Sequence, residues 1–65
     1  MNNNIANKEM QKRWCVTSGY QEWYFDELKE AKEKARRYTS SQIIEYWGNF
    51  KFVRFHMKGH RLITI

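Results

Sequence analysis

Apolar positions along this chain change their spacing three times, and each change predicts an element. Over Arg13-Trp14-Cys15-Val16-Thr17 and again over Tyr20 to Phe25, large apolar side chains recur at every second position. That spacing is the period of a half-buried strand, and the intervening Ser18-Gly19 reads as a tight turn. A two-residue loop there sets Trp14 opposite Trp23 and collects Trp14, Val16, Trp23 and Phe25 on one core face. The period then lengthens: Leu28, Ala31, Ala35 and Tyr38 follow at steps of three, four and three, a narrow helical stripe. Asp26 stands where it can cap that helix, acids occupy its first turn, and Arg36 and Arg37 suit its C-terminal end. The expected helix is about three turns long and stops near Tyr38, before Thr39-Ser40-Ser41.

From Gln42 to Trp47 the chain is β-branched and aromatic, and Gly48-Asn49 followed by Phe50 to Met57 is a two-residue hairpin signal. With Trp47 opposite Phe50, one face holds Ile44, Tyr46, Val53 and Phe55, the other Glu45, Trp47, Phe50, Phe52, Arg54 and His56. The first set is read as core and the second as working surface. A further turn at Lys58-Gly59 leads into His60 to Ile65; with Gly59 as a left-handed third loop residue, Ile63 joins Val53 in the core. The expected fold class is α+β: a mainly antiparallel sheet in the order β-β-α-β-β, with one more strand, and a single helix packed on one face. Residues 1–11 are polar and aperiodic apart from Ile5 and Met10 and read as a flexible tail, leaving 12–65 as one domain.

Length changes the picture by making every large side chain count. A chain of 65 residues has a marginal core, burying roughly 60% of the surface that its unfolded form exposes. The 3 Trp, 4 Tyr and 4 Phe answer that need. The single cysteine, Cys15, excludes an internal disulfide and a cysteine-based zinc cage and points to a reducing compartment. No apolar run approaches the ~20 residues of a membrane helix, and Met1-Asn2-Asn3-Asn4 begins no signal-type pattern, so the expectation is a cytoplasmic protein without a membrane partner.

Charge sharpens the functional question. The net charge is +5, and Phe50 to Ile65 carries Lys51, Arg54, Lys58 and Arg61 with no acid among them. Acidic partners follow, whether nucleic acid or an acidic protein surface. The candidate partner-binding residues are Trp47, Phe50, Phe52, Arg54 and His56, because aromatic rings and arginine are the usual anchors of protein interfaces. The same face supports an alternative, direct DNA or RNA binding, with Lys51, Arg54, Lys58 and Arg61 on phosphates and the rings stacking on bases. A third reading makes the aromatic face a homodimer interface. The basic helix residues Lys32, Lys34, Arg36 and Arg37 read as ordinary solvated charge.

Candidate chemistry adds little. Gly19, Gly48 and Gly59 each stand alone in a turn and form no phosphate loop. His56 and His60 are four apart but flank a turn after a strand, with no acid or cysteine nearby to complete a metal site. Cys15, between Trp14 and Val16, reads as a packed thiol rather than a nucleophile. Glu22, Asp26 and Glu45 form no recognisable catalytic pair. The chain therefore reads as a non-enzyme that needs no cofactor.

At Trp23-Tyr24-Phe25-Asp26-Glu27-Leu28-Lys29-Glu30-Ala31, a strand running straight into a helix, the layout of residues 12–65 resembles small phage-encoded β-β-α-β-β proteins. These include some anti-CRISPR proteins and other inhibitors of host nucleic-acid machinery. The resemblance implies an inhibitor or adaptor that docks on a host protein or nucleoprotein assembly, and it carries no functional residue across. Trp14-x-Val16 with Tyr24-Phe25 and Glu30-Ala31 is also similar to the arm-type DNA-binding domains of phage integrases, which place three strands before the helix where two are visible here.

Overall fold

A computed structural model describes residues 12–65, and the tail read at 1–11 lies outside them. In chain order the elements are β1 (Trp14–Ser18), β2 (Gln21–Phe25), α1 (Leu28–Ala35), β3 (Gln42–Trp47), β4 (Phe50–Lys58) and β5 (Arg61–Thr64). The five strands form one antiparallel sheet in the order β2-β1-β3-β4-β5, with α1 lying over β1 and touching β2 and β3. This is the α+β fold expected, and among the described residues two strands precede the helix.

Each of the three hairpins turns on two residues, Gly19-Tyr20, Gly48-Asn49 and Gly59-His60. In every one the glycine comes first, with φ of 61°, 59° and 66°. Positive φ at the first loop position lets the connection follow the right-handed twist of the flanking strands, and only glycine adopts it without a Cβ penalty. The first turn therefore lies one residue later than Ser18-Gly19. Trp14 faces Phe25 and Val16 faces Trp23, instead of Trp14 facing Trp23. Pairing slips by two places, so the parity of the strand is kept and all four side chains still share the helix-covered face.

Beneath α1 the buried core consists of Val16, Ala31, Ala35, Ile43 and Met57, ringed by Trp14, Trp23, Phe25, Leu28, Phe55 and Leu62. Alanine at 31 and 35 lets the helix sit close on the sheet. The helix is shorter than three turns: Glu27 is its N-cap residue and makes no side-chain capping bond, so Asp26 is not the cap. Tyr38, beyond the last turn, stacks on Trp23 at 5.0 Å between ring centroids. Just after it the buried Ser41 hydroxyl lies 2.8 Å from the Ala35 carbonyl and 3.0 Å from that of Tyr38, so one of these late helical acceptors is satisfied.

The expected core face of the second hairpin is corrected. Trp47 does face Phe50, but Val16 faces Ile43, and this pairing sets Ile43, Glu45 and Trp47 on the helix side and Ile44 and Tyr46 on the open side. Val53, opposite Ile44, goes with the open side. Two adjacent isoleucines satisfy either choice, and the neighbouring strand decides. A bulge then intervenes: Ile44 faces Val53 whereas Ile43 faces Phe55, so Arg54 is an extra residue on β4. Past it the parity reverses, bringing Phe55 and Met57 under the helix and sending His56 to the open face. The two-residue turn at Gly59-His60 pairs Met57 with Leu62 and His56 with Ile63. Leu62, not Ile63, completes the core.

Candidate basic-aromatic interface

The helix covers only part of its side of the sheet, and the β3–β4 hairpin runs on past it. On that uncovered extension stand Trp47 (52% exposed), Phe50 (69%) and Phe52 (43%), all on the helix side. Below them Glu45 is 6% exposed, an acid pointing inward because the alternation that buries Ile43 buries it too. A carboxylate so placed must be paired. Arg13 donates from Nε to one carboxylate oxygen at 2.7 Å, and Arg54 from Nε to the other at 2.9 Å. The Arg13 guanidinium lies 4.2 Å above the Trp47 ring and that of Arg54 4.7 Å above Phe52, so both are held on both sides.

Burial alone would raise the Glu45 carboxyl's pKa, and the hydrogen bonds from Arg54 and Arg13 outweigh it and hold the group below its ordinary range. Two cations share one anion, leaving one net positive charge over a patch of exposed rings. Because both bonds run through Nε, the Nη groups remain as the polar ends of the patch.

The bulge at Arg54 joins the patch to the core. By simple alternation it would share a face with Phe52 in any case, but the extra residue keeps it there while Phe55 moves under the helix. His56 faces Gln42 and Ile63 on the open side and is not part of the patch. Lys51, opposite Tyr46, also lies on the open face, as do Lys58 and its partner Arg61 at the far end of β4. The basic residues of Phe50 to Ile65 are thus divided: Arg54 on one side, Lys51, Lys58 and Arg61 on the other. Lys51 and Lys58 are roughly 23 Å apart along the strand at ~3.3 Å per residue.

Arg13 lies outside the candidate set that the sequence points to. Its signal is Glu45 itself, a lone acid inside an apolar strand that needs a cationic partner once buried.

On the open face Cys15 is fully buried beside Tyr24 and Tyr46, whose rings are 6.4 Å apart. Burial first, and the charge of Glu22 second, push the Cys15 thiol up to about 11, which keeps it neutral and unreactive. The Tyr24 hydroxyl donates to Glu22 at 2.7 Å, and that bond, with burial, raises its pKa as well. Among the described residues no three of His, Cys, Asp and Glu gather as a metal site would require. No described helix is long and apolar enough to cross a membrane.

Comparison with known proteins gives no match among family models, curated proteins or solved structures.

Proposed function

We propose that this is a small non-catalytic binding protein, an inhibitor or adaptor of the kind phages encode, that docks on a host protein or nucleoprotein assembly through Trp47, Phe50, Phe52, Arg13 and Arg54. The observation that carries this reading is the double stacking of Arg13 on Trp47 and Arg54 on Phe52 around buried Glu45. It supplies rigid aromatic and arginine anchors, the residue types that dominate interfaces, at little entropic cost because the side chains are already fixed.

The same stacking favours a protein over single-stranded nucleic acid. A base would stack on an open ring face, and guanidinium groups already occupy one face of Trp47 and of Phe52. The lysines that would follow a phosphate backbone, moreover, lie on the opposite side of the sheet from Arg54.

Affinity capture from a bacterial lysate, with and without nuclease, tests the proposal. The wild-type protein should retain a stoichiometric partner after nuclease treatment, and the Phe52→Ala/Arg54→Ala variant should lose it, since central anchors contribute ~2 kcal/mol or more each. Retention unchanged by the double substitution defeats the reading. Capture abolished by nuclease transfers the function to direct DNA or RNA binding.

A further inference from the structure

Among the described residues neither edge of the sheet is paired, and the two edges differ in how they are guarded. Edge strands are ordinarily blunted by lysine, proline, a bulge or brevity, because their free backbone groups invite another strand. β5 is four residues long and begins with Arg61, beside the basic Lys58. β2, Gln21-Glu22-Trp23-Tyr24-Phe25, is one residue longer and has no lysine, proline or bulge, Glu22 being its one charge: it runs in unbroken register with β1 and, among the described residues, pairs with nothing else. The two-residue turn makes Ser18 and Gln21 a hydrogen-bonded pair, so bonded and non-bonded pairs alternate from there. Glu22, facing Thr17, and Tyr24, facing Cys15, fall in non-bonded pairs, and their N–H and C=O groups point away from the sheet.

Alongside this edge an open groove of about 520 Å³ separates β2 from α1. Its rim carries three bases, Lys12, Lys34 and Arg37, and three acids, Glu22, Glu30 and Glu33. In a molecule of net charge +5 this is the charge-balanced side, where a second copy can approach without repulsion. The opposite edge, with Lys58 and Arg61, would repel its own kind.

We propose that two copies pair antiparallel through β2, across a two-fold axis at Trp23, to make one continuous ten-stranded sheet. In that register Glu22 faces Tyr24 of the second copy. Each such pair exchanges two backbone hydrogen bonds, no like charges are opposed, and the two Trp23 residues meet on the helix side. The dimer leaves both basic-aromatic patches free, so it would present two docking sites. It does not depend on the function proposed above.

Sedimentation equilibrium together with residue-resolved amide exchange decides the matter. The expected results are a mass of twice 8.1 kDa at mid-micromolar concentration and Glu22 and Tyr24 amides slowed about tenfold or more as the dimer fills. Tyr24→Pro, which removes an outward N–H without touching the β1 ladder, should return the monomer mass, whereas Tyr24→Phe should keep the dimer. A monomer across the concentration range overturns the inference. So does a dimer in which the Glu22 and Tyr24 amides still exchange freely, which would place the contact on the aromatic patch instead.

Discussion

Glu45 is the residue on which the patch depends. It neutralises two arginines that would otherwise repel each other, and it fixes both guanidinium planes against their rings. Glu45→Ala should cost about 2 kcal/mol in urea unfolding, the range for hydrogen bonds to charged groups, tempered because both arginines are about half exposed. The same interaction sets an acid dependence. The folded-state pKa lies below the ordinary 4.5, so this contribution is complete above that value and is lost as pH falls through the folded pKa. Midpoints measured from pH 6 downward should fall less steeply in Glu45→Ala than in wild type, and parallel slopes would show that the carboxylate contributes no such linkage.

At the scale of elements, the three hairpins share one device, a glycine with positive φ at the first of two loop positions. An added Cβ at Gly48 would meet no atom within 4 Å, so the cost of Gly48→Ala is purely that of the backbone conformation. It should destabilise by about 1 kcal/mol, lowering the melting temperature by roughly 4–8 °C in a domain of this size. Calorimetry showing no change would mean that the turn can adopt another conformation. How far these elements could be read from the chain follows from the same details. Gly48-Asn49 points to the pairing of Trp47 with Phe50 because both of its residues are turn formers and its glycine stands at the first loop position, where φ is positive. Ser18-Gly19 and Gly19-Tyr20 both contain the required glycine, and the choice between them depends on where in the loop the positive φ falls. Which side of β3 is buried was not legible, since Ile43 and Ile44 are equally apolar and Val16 on a distant strand decides. The bulge left no local mark on Val53-Arg54-Phe55, so the inward set Phe55, Met57 and Leu62, and with it the exclusion of His56 from the patch, appears only in three dimensions.

The described residues form a body 41 Å long and 19 Å across, with the core gathered under a helix of eight residues. Few of the described side chains are fully buried, and the largest of them are Ile43 and Val16, so stability rests on a small number of groups and is sensitive to each. Three of the groups packed on the open face, Cys15, Tyr24 and Tyr46, have raised pKa values: Cys15 by burial first, Tyr24 by its bond to Glu22 first, Tyr46 by burial first. Raised values mean that the folded chain holds protons the unfolded chain gives up. The contribution of these groups is therefore undiminished below about pH 9 and declines as pH climbs toward 11, beginning with the Cys15 thiol. Chemical unfolding between pH 7 and 11 should trace that decline, and Cys15→Ala should flatten its first part; a midpoint constant to pH 11 would contradict it. The extra residue at Arg54 has a genetic consequence too. Losing that one codon would leave Val53 and Phe55 adjacent opposite Ile44 and Ile43, so Phe55 and Met57 would stay under the helix in strict alternation while Glu45 lost one of its two arginines: a deletion there should spare the fold and injure only the patch.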